Sequence, residues 1–322
     1  MPALVHPTAE VQQVAGQPSR LAQQRLFAVH LAVLCAVVCA CTSRDVRRLS
    51  ASPTTQGLTL PNRPGSVKFA AIGDNGTGDS PEYEVAAQMA AWHQKFRFDT
   101  VIMLGDNMYG RQHARDFVEK FERPYRRLLD AGVSFYAALG NHDDPANVYY
   151  PPYHMDGRRY YSFARGDVRF FVLDSDGLDA PQLHWLERAL SENPSRWKIC
   201  YFHHPLYSDG RRHGSELDLR VVLEPLFVQY GVNVVYSGHD HVYERLVPQK
   251  GISYFVSGAA GQLRLDRLRH SPTAVVGYAE DQSFMLNEIV GNELFFQVVS
   301  RRGATVDSGT IHRTRSTQST QR

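Results

Sequence analysis

Val101-Ile-Met-Leu-Gly-Asp-Asn-Met-Tyr-Gly110 is the stretch on which the reading of this chain turns. Its first four residues are all apolar, as a strand buried on both faces of a parallel sheet requires. Gly105 ends the strand and permits a sharp turn. Asp106 and Tyr109 then fall on the loop at the strand's carboxyl end, where open α/β sheets bind ligands. Taken singly, an aspartate after a glycine is more often a turn or cap residue. The same design, an apolar strand followed by a polar loop with ligand-type side chains, recurs four more times.

Outward from this strand, strands alternate with helices. Val67–Ile72 precedes it as a strand, followed by the loop Gly73-Asp-Asn-Gly-Thr-Gly-Asp79. A helix then runs from Pro81 to about Phe96, with Val85, Met89 and Trp92 on one face. Beyond Gly110 lie a helical segment over Ala114–Asp130 that Pro124 kinks, the strand Val133–Ala138, and the loop Leu139-Gly-Asn-His-Asp143. Tyr160–Phe163 and Val168–Leu173 form a hairpin. Helix Pro181–Glu192, strand Trp197–Phe202, a helix near Leu217–Tyr230 and strand Val232–Tyr236 follow. The remainder turns to strands: Tyr243–Val247, Ile252–Ser257, Ser283–Val290 and Glu293–Val299. Such an order predicts two sheets packed together with helices outside.

The 322 residues, 43% hydrophobic and 21% charged, suffice for one large α/β domain or two small ones. A formal net charge of +2 gives no support for a nucleic-acid partner. Residues 1–41 read as a leader: Arg20 and Arg25 precede the apolar run Leu26–Ala40, which has the length of a signal-peptide core. The run ends Val38-Cys39-Ala40-Cys41, which resembles a bacterial lipoprotein cleavage box with Cys41 lipidated; a plain signal peptide or an uncleaved anchor fits as well. Residues 42–65, rich in Ser, Thr, Pro, Arg and Gly, read as a flexible tether, and 313–322 as a polar tail. Export to the periplasm or cell surface, with a membrane tether at the N-terminus, is therefore expected. Of the four cysteines only Cys200 lies in the body, which excludes an internal disulfide or a cysteine-based metal site there.

The side chains at the strand ends are Asp74, Asp106, Tyr109, Asn141, His142, His203, His204, His239 and His241. Hard oxygen donors mixed with imidazoles suit a pair of metals, with a carboxylate available to bridge them. Asp74-x-Gly76, Gly105-Asp106-x-x-Tyr109, Gly140-Asn141-His142-Asp143, His203-x-Pro205 and Gly238-His239-x-His241 resemble, in order, the five motif blocks of the purple acid phosphatases, members of the calcineurin-like metallophosphoesterases. The resemblance covers about Ser66 to Ile311, and Tyr109 discriminates best, because most of the wider superfamily lacks it. With no extra N-terminal β domain, the body (66–312) resembles the small single-domain type.

The resemblance implies a four-layer α/β/β/α sandwich of two mixed β-sheets and a hydrolase of phosphate monoesters. Asp74, Tyr109 and His241 would hold Fe(III), Asn141, His203 and His239 a divalent iron, zinc or manganese, and Asp106 would bridge both. His142 would bind the substrate phosphate without touching metal. His213, at about the position of a second outer histidine, would protonate the leaving group; within Arg211-Arg-His-Gly214 it reads equally as a solvated loop residue. The second histidine at 204 leaves open which of the two ligates, and the proline two residues after His203 favours His203. The expected partner is a small phosphorylated substrate. The same fold acting on phosphodiesters, nucleotides or phosphoproteins is the near alternative, and a non-catalytic phosphate- or metal-binding protein the remote one.

Overall fold

Strands β1 (Val67–Ile72), β2 (Thr100–Leu104) and β3 (Ser134–Ala138) run parallel, with every residue of β2 buried. In this computed structural model, which describes residues 57–313 apart from 266 and 270, they form one half of a six-stranded mixed sheet. The other half is antiparallel: β11 (Ser283–Val290) pairs with β1, β12 (Glu293–Ser300) with β11, and β13 (Thr305–His312) forms the edge.

The second sheet has seven strands. Its parallel centre is β5 (Val168–Val172), β6 (Trp197–Tyr201), β7 (Val234–Ser237) and β9 (Ser253–Ser257). Antiparallel β4 (Tyr161–Arg165) flanks one side, and β8 (Tyr243–Leu246) with β10 (Ala274–Tyr278) the other. The expected hairpin turns at Gly166 and Asp167, between β4 and β5.

Alternation along the strands explains the layers. Phe170, Val172, Ile199 and Tyr201 share one core with β1 and β2, whereas Phe171, Cys200 and Phe202 share another with Leu186, Leu190, Leu223 and Phe227. The latter belong to helices α4 (Ala180–Ser191) and α5 (Leu217–Gln229), which cover the outer face of the second sheet. Between the sheets Phe69 meets Phe170 edge-on at 5.2 Å, and Tyr236 donates to Asn287 Oδ1 at 2.9 Å. On the far side, α1 (Ser80–His93) is capped by the Asp79 carboxylate, which accepts from the Glu82 N–H. The four-layer sandwich of two mixed sheets is thus present.

Three details differ from expectation. Ala114–Asp130 is helical throughout, but in place of a simple proline kink it carries a wide π-type turn (Val118–Glu122) between α2 (Ala114–Phe117) and α3 (Arg123–Asp130), directly ahead of Pro124, which accommodates the missing N–H. The expected tether stops short of Ser66: Leu60 is buried, the Thr59 N–H donates to Gln297 Oε1 at 2.9 Å, and the Asn62 and Arg63 N–H groups each donate to Glu288 at 2.6 Å. Arg313, assigned to the tail, still bonds Asn292 and Arg196. The leader with Cys41, residues 42–56 and the tail beyond 313 lie outside the described residues. Among the described residues, no helix is long and apolar enough to cross a membrane.

Candidate metal centre

Five strands of the two sheets end at one place. From the first sheet, β1 delivers Asp74, β2 delivers Asp106 and Tyr109, and β3 delivers Asn141; from the second, β6 delivers His203 and β7 delivers His239 and His241. Asp74, Asp106 and His239 have left-handed backbones, with φ of 54, 51 and 68°. Non-glycine residues adopt that region at a cost, and such strain gathers at ligand sites. Glycines make room for the convergence: a Cβ on Gly140 would collide with the Asp106 backbone and carboxylate.

The donor atoms fall into two groups. In the first, Tyr109 OH lies 3.1 Å from Asp74 Oδ1 and 3.3 Å from His241 Nε2, and these two are 3.3 Å from each other. In the second, His203 Nε2 lies 3.1 Å from Asn141 Oδ1 and 3.2 Å from His239 Nδ1. Asp106 stands between them, its Oδ1 3.4 Å from His203 Nε2, and one oxygen of it lies within 4.8 Å of ligand atoms of both Asp74 and His241. Donors about 2.0–2.2 Å from a common cation stand about 3 Å apart, so both groups have the edge lengths of a coordination shell.

The donor chemistry agrees. His203 Nδ1–H donates to the Leu104 carbonyl at 2.9 Å, which points Nε2 at the Asn141 carbonyl oxygen. Burial works against a charged ring, but Asp74 and Asp106 raise the His203 pKa to about 10, so the cluster calls for a cation at Nε2, either a proton or a metal. The residues therefore fit a pair of metals. His204 stands apart: its Nδ1 meets Ser175 Oγ at 2.9 Å, outside the donor group, while its ring packs on His239 with centroids 4.3 Å apart. Burial holds His204 down to about 4, so it is a neutral neighbour.

His142 is exposed on the loop after β3, its ring centroid 4.8 Å from that of Tyr109 and its backbone N–H donating to Asp106 Oδ1 at 2.9 Å. The His213 ring lies against His239, centroids 4.0 Å apart. Both outer histidines thus sit at the rim of the donor groups. Burial depresses the His213 pKa; Asp240 works against that, and Arg212, Arg264 and His241 add to it.

Two supporting groups escaped the sequence reading. The Asp143 carboxylate accepts from the N–H groups of Asn107 (3.1 Å), Met108 (2.9 Å) and Gly140 (2.9 Å) and from Asn107 Nδ2 (2.8 Å), tying the loops after β2 and β3 together. Its place in the block Gly140–Asp143 was the available signal. Ser208 Oγ lies 2.6 Å from Asp240 Oδ2 and 2.8 Å from Glu244 Oε2, and accepts from the Gly210 N–H at 2.9 Å. One hydroxyl has one hydrogen, so one of these carboxyls carries a proton. Burial, with Asp240 and Asp209 adding, pushes Glu244 up to about 8. Glu244 therefore donates to Ser208 and Ser208 to Asp240, which fastens the His213 loop to the His239–His241 turn. No local sequence pattern announces this contact.

Comparison with known proteins adds the following. A family model described as calcineurin-like phosphoesterase matches residues 67–243, more than half of the chain. Tartrate-resistant acid phosphatase type 5 of Rattus norvegicus is 27% identical, over 75% of this chain and 89% of its own length. The Fe(3+)-Zn(2+) purple acid phosphatase 12 of Arabidopsis thaliana is 36% identical over 48% of this chain and 38% of its own length. Among solved structures, GAP50, the anchor in the inner membrane complex of Plasmodium, shares the fold with a TM-score of 0.65 at 17% identity, covering 77% of this chain and 89% of that one.

Proposed function

The chain belongs to the calcineurin-like phosphoesterase family, and on that premise we propose that it is a metal-dependent hydrolase of phosphate monoesters of the purple acid phosphatase type. The observation that carries this is the pair of three-donor groups joined by Asp106, with a tyrosine in the first. Asp74, Tyr109 and His241 would hold Fe(III): two hard anionic oxygens favour that ion over a softer one. Asn141, His203 and His239, with one neutral oxygen and two imidazoles, suit a divalent iron, zinc or manganese. When bound, such a pair supplies Lewis acidity at a phosphoryl oxygen and acidifies a water.

The chain's own residues do the rest. Asp143 and Gly140 hold the Asp106 and Asn141 loops in contact. His142, exposed above Tyr109, donates to the phosphoryl oxygens as charge develops on them. His213, beside His239, hands its proton to the leaving oxygen, and its depressed pKa makes it a ready donor in acid.

Purified protein should hydrolyse an aryl phosphate, stop on chelation and recover with iron plus a divalent metal. Faster turnover of a phosphodiester would favour the neighbouring reading. The iron assignment has its own test: a broad visible band that Tyr109→Phe abolishes. A non-catalytic role, which the fold shared with GAP50 would permit, is disfavoured by the complete donor set. Export rests on the leader alone; if Cys41 is lipidated, Cys41→Ser should release the protein from the detergent phase.

A further inference from the structure

The strands that deliver the metal ligands at one end of the sandwich begin at the other, and two neighbouring hollows open there. One, of about 530 Å³, is lined by Arg196, Lys198, Lys250 and Arg313; the second, of about 360 Å³, adds Arg63 and shares Arg196. Among the described residues Asp167 is the only carboxylate that lines either hollow. The whole chain is nearly balanced, with 35 Lys and Arg against 33 Asp and Glu, so positive charge has been gathered at this end.

Two of these cations have structural duties. Lys198 Nζ donates to the carbonyls of Leu190 and Tyr230, both at 2.8 Å, at the carboxyl ends of α4 and α5, and Lys250 Nζ pairs with Glu224 Oε2 at 2.6 Å. Arg63, Arg196 and Arg313 have no carboxylate partner among the described residues. Residues 314–322 contain no aspartate or glutamate either, but two further arginines, Arg315 and Arg322. Arg196 and Arg313 meet: the Nε of each donates to the same Asn292 Oδ1, at 3.1 and 3.4 Å, and Arg313 Nη1 donates to the Arg196 carbonyl at 3.0 Å. Two guanidiniums gathered on one neutral oxygen repel each other, and an anion opposite them relieves that repulsion.

We propose that this end of the sandwich docks on an anionic lipid surface, with the three arginines against the headgroup phosphates. The cations come from four separate segments of the chain, which suits a surface better than a single extended polyanion. The larger hollow is also lined by Val228, 43% exposed, and by Tyr230, an aliphatic side chain and a phenol of the kind that settle at a lipid–water interface. Orientation follows from the strands. Arg196 stands just before β6 and His203 just after it, so at about 3.3 Å a residue the two ends are roughly 20 Å apart. That exceeds the screening length of about 8–10 Å, so the metal centre faces away from the lipid and is insensitive to these charges. The inference rests neither on the hydrolase reading nor on lipidation of Cys41.

The test is flotation of the full chain with vesicles of phosphatidylcholine, alone or with about a third phosphatidylglycerol. Wild type should prefer the anionic vesicles, and high salt should abolish the preference. An apolar leader would insert into both kinds, so the ratio of the two affinities isolates the charged face. Arg196→Gln combined with Arg313→Gln should lower that ratio about 25-fold, about fivefold for each cation, with aryl phosphate turnover unchanged. Arg196→Lys combined with Arg313→Lys keeps the charge and should keep the ratio. Equal binding to both vesicles, a ratio that the glutamine pair leaves intact, or lysines as harmful as glutamines would each overturn the proposal. Inorganic phosphate and a single-stranded oligonucleotide probe the other occupants. If either binds more tightly than the anionic vesicles, and the glutamine pair abolishes that binding, the face belongs to another anion and the lipid assignment fails.

Discussion

The two sheets contribute different chemistry to one site. The first supplies oxygen donors, Asp74, Asp106, Tyr109 and Asn141; the second supplies only imidazoles, His203, His239 and His241. Neither set is complete alone. Each three-donor group mixes the sheets, Asp74 and Tyr109 with His241, Asn141 with His203 and His239. Metals bound there would bridge the sandwich at its open end, where side chains between the sheets give way to polar loops. The centre is thus a fastener as well as a reaction site, and binding should couple to stability.

The largest disruption should come from Asp106, the donor that stands between the groups. Asp106→Ala should empty or scramble both metal positions and abolish aryl phosphate turnover, read by metal analysis with kinetics. His142 belongs to the oxygen-donor side, its ring packed on that of Tyr109 without adding an atom to either donor group. His142→Ala should keep both metals and lose about 2–4 kcal/mol of transition-state stabilisation, mainly in kcat. Loss of metal in that variant would mean that His142 only braces the Asn141 loop.

Chelation sharpens the fastening claim. With free metal a hundredfold above Kd, each site adds about 2.7 kcal/mol, so removing both metals should lower Tm by roughly 10 °C or more. An unchanged Tm would show that the sheets hold without the centre. A smaller effect belongs to the imidazole side, where Glu244 fastens the His213 loop through Ser208 and Asp240. The folded chain keeps the Glu244 proton up to about 8, whereas the unfolded chain gives it up near its usual 4.5. Stability from this group is therefore full below pH 4.5 and declines as pH rises toward 8. Glu244→Gln, whose amide donates to Ser208 as the acid does, should flatten that decline and match wild type at low pH. Parallel stability curves would contradict the proton assignment.

Much of this was readable in the residues because buried parallel strands are written as unbroken apolar runs. β2, buried throughout, left no doubt, and its glycine placed Asp106 at the strand end. The edge strand β13 was missed: Asp307, Ser308 and Gly309 are poor strand formers. Tertiary contacts override that preference, since Asp307 accepts from Tyr243 OH at 2.7 Å and Arg245 Nε at 2.8 Å across the sandwich. β10 likewise was too short, with Gly277 inside it, to declare itself. Adjacent histidines at 203 and 204 could be ranked only by the proline that follows; to that the structure adds the bond of His203 Nδ1 to Leu104 and of His204 Nδ1 to Ser175.

The most direct test of the central claim is a metal titration of metal-free protein, with iron and a divalent ion added together while aryl phosphate hydrolysis is followed. Activity should rise to a plateau at two metals per chain, one of them iron. A plateau at one metal per chain, or bound metal without hydrolysis, would contradict the account.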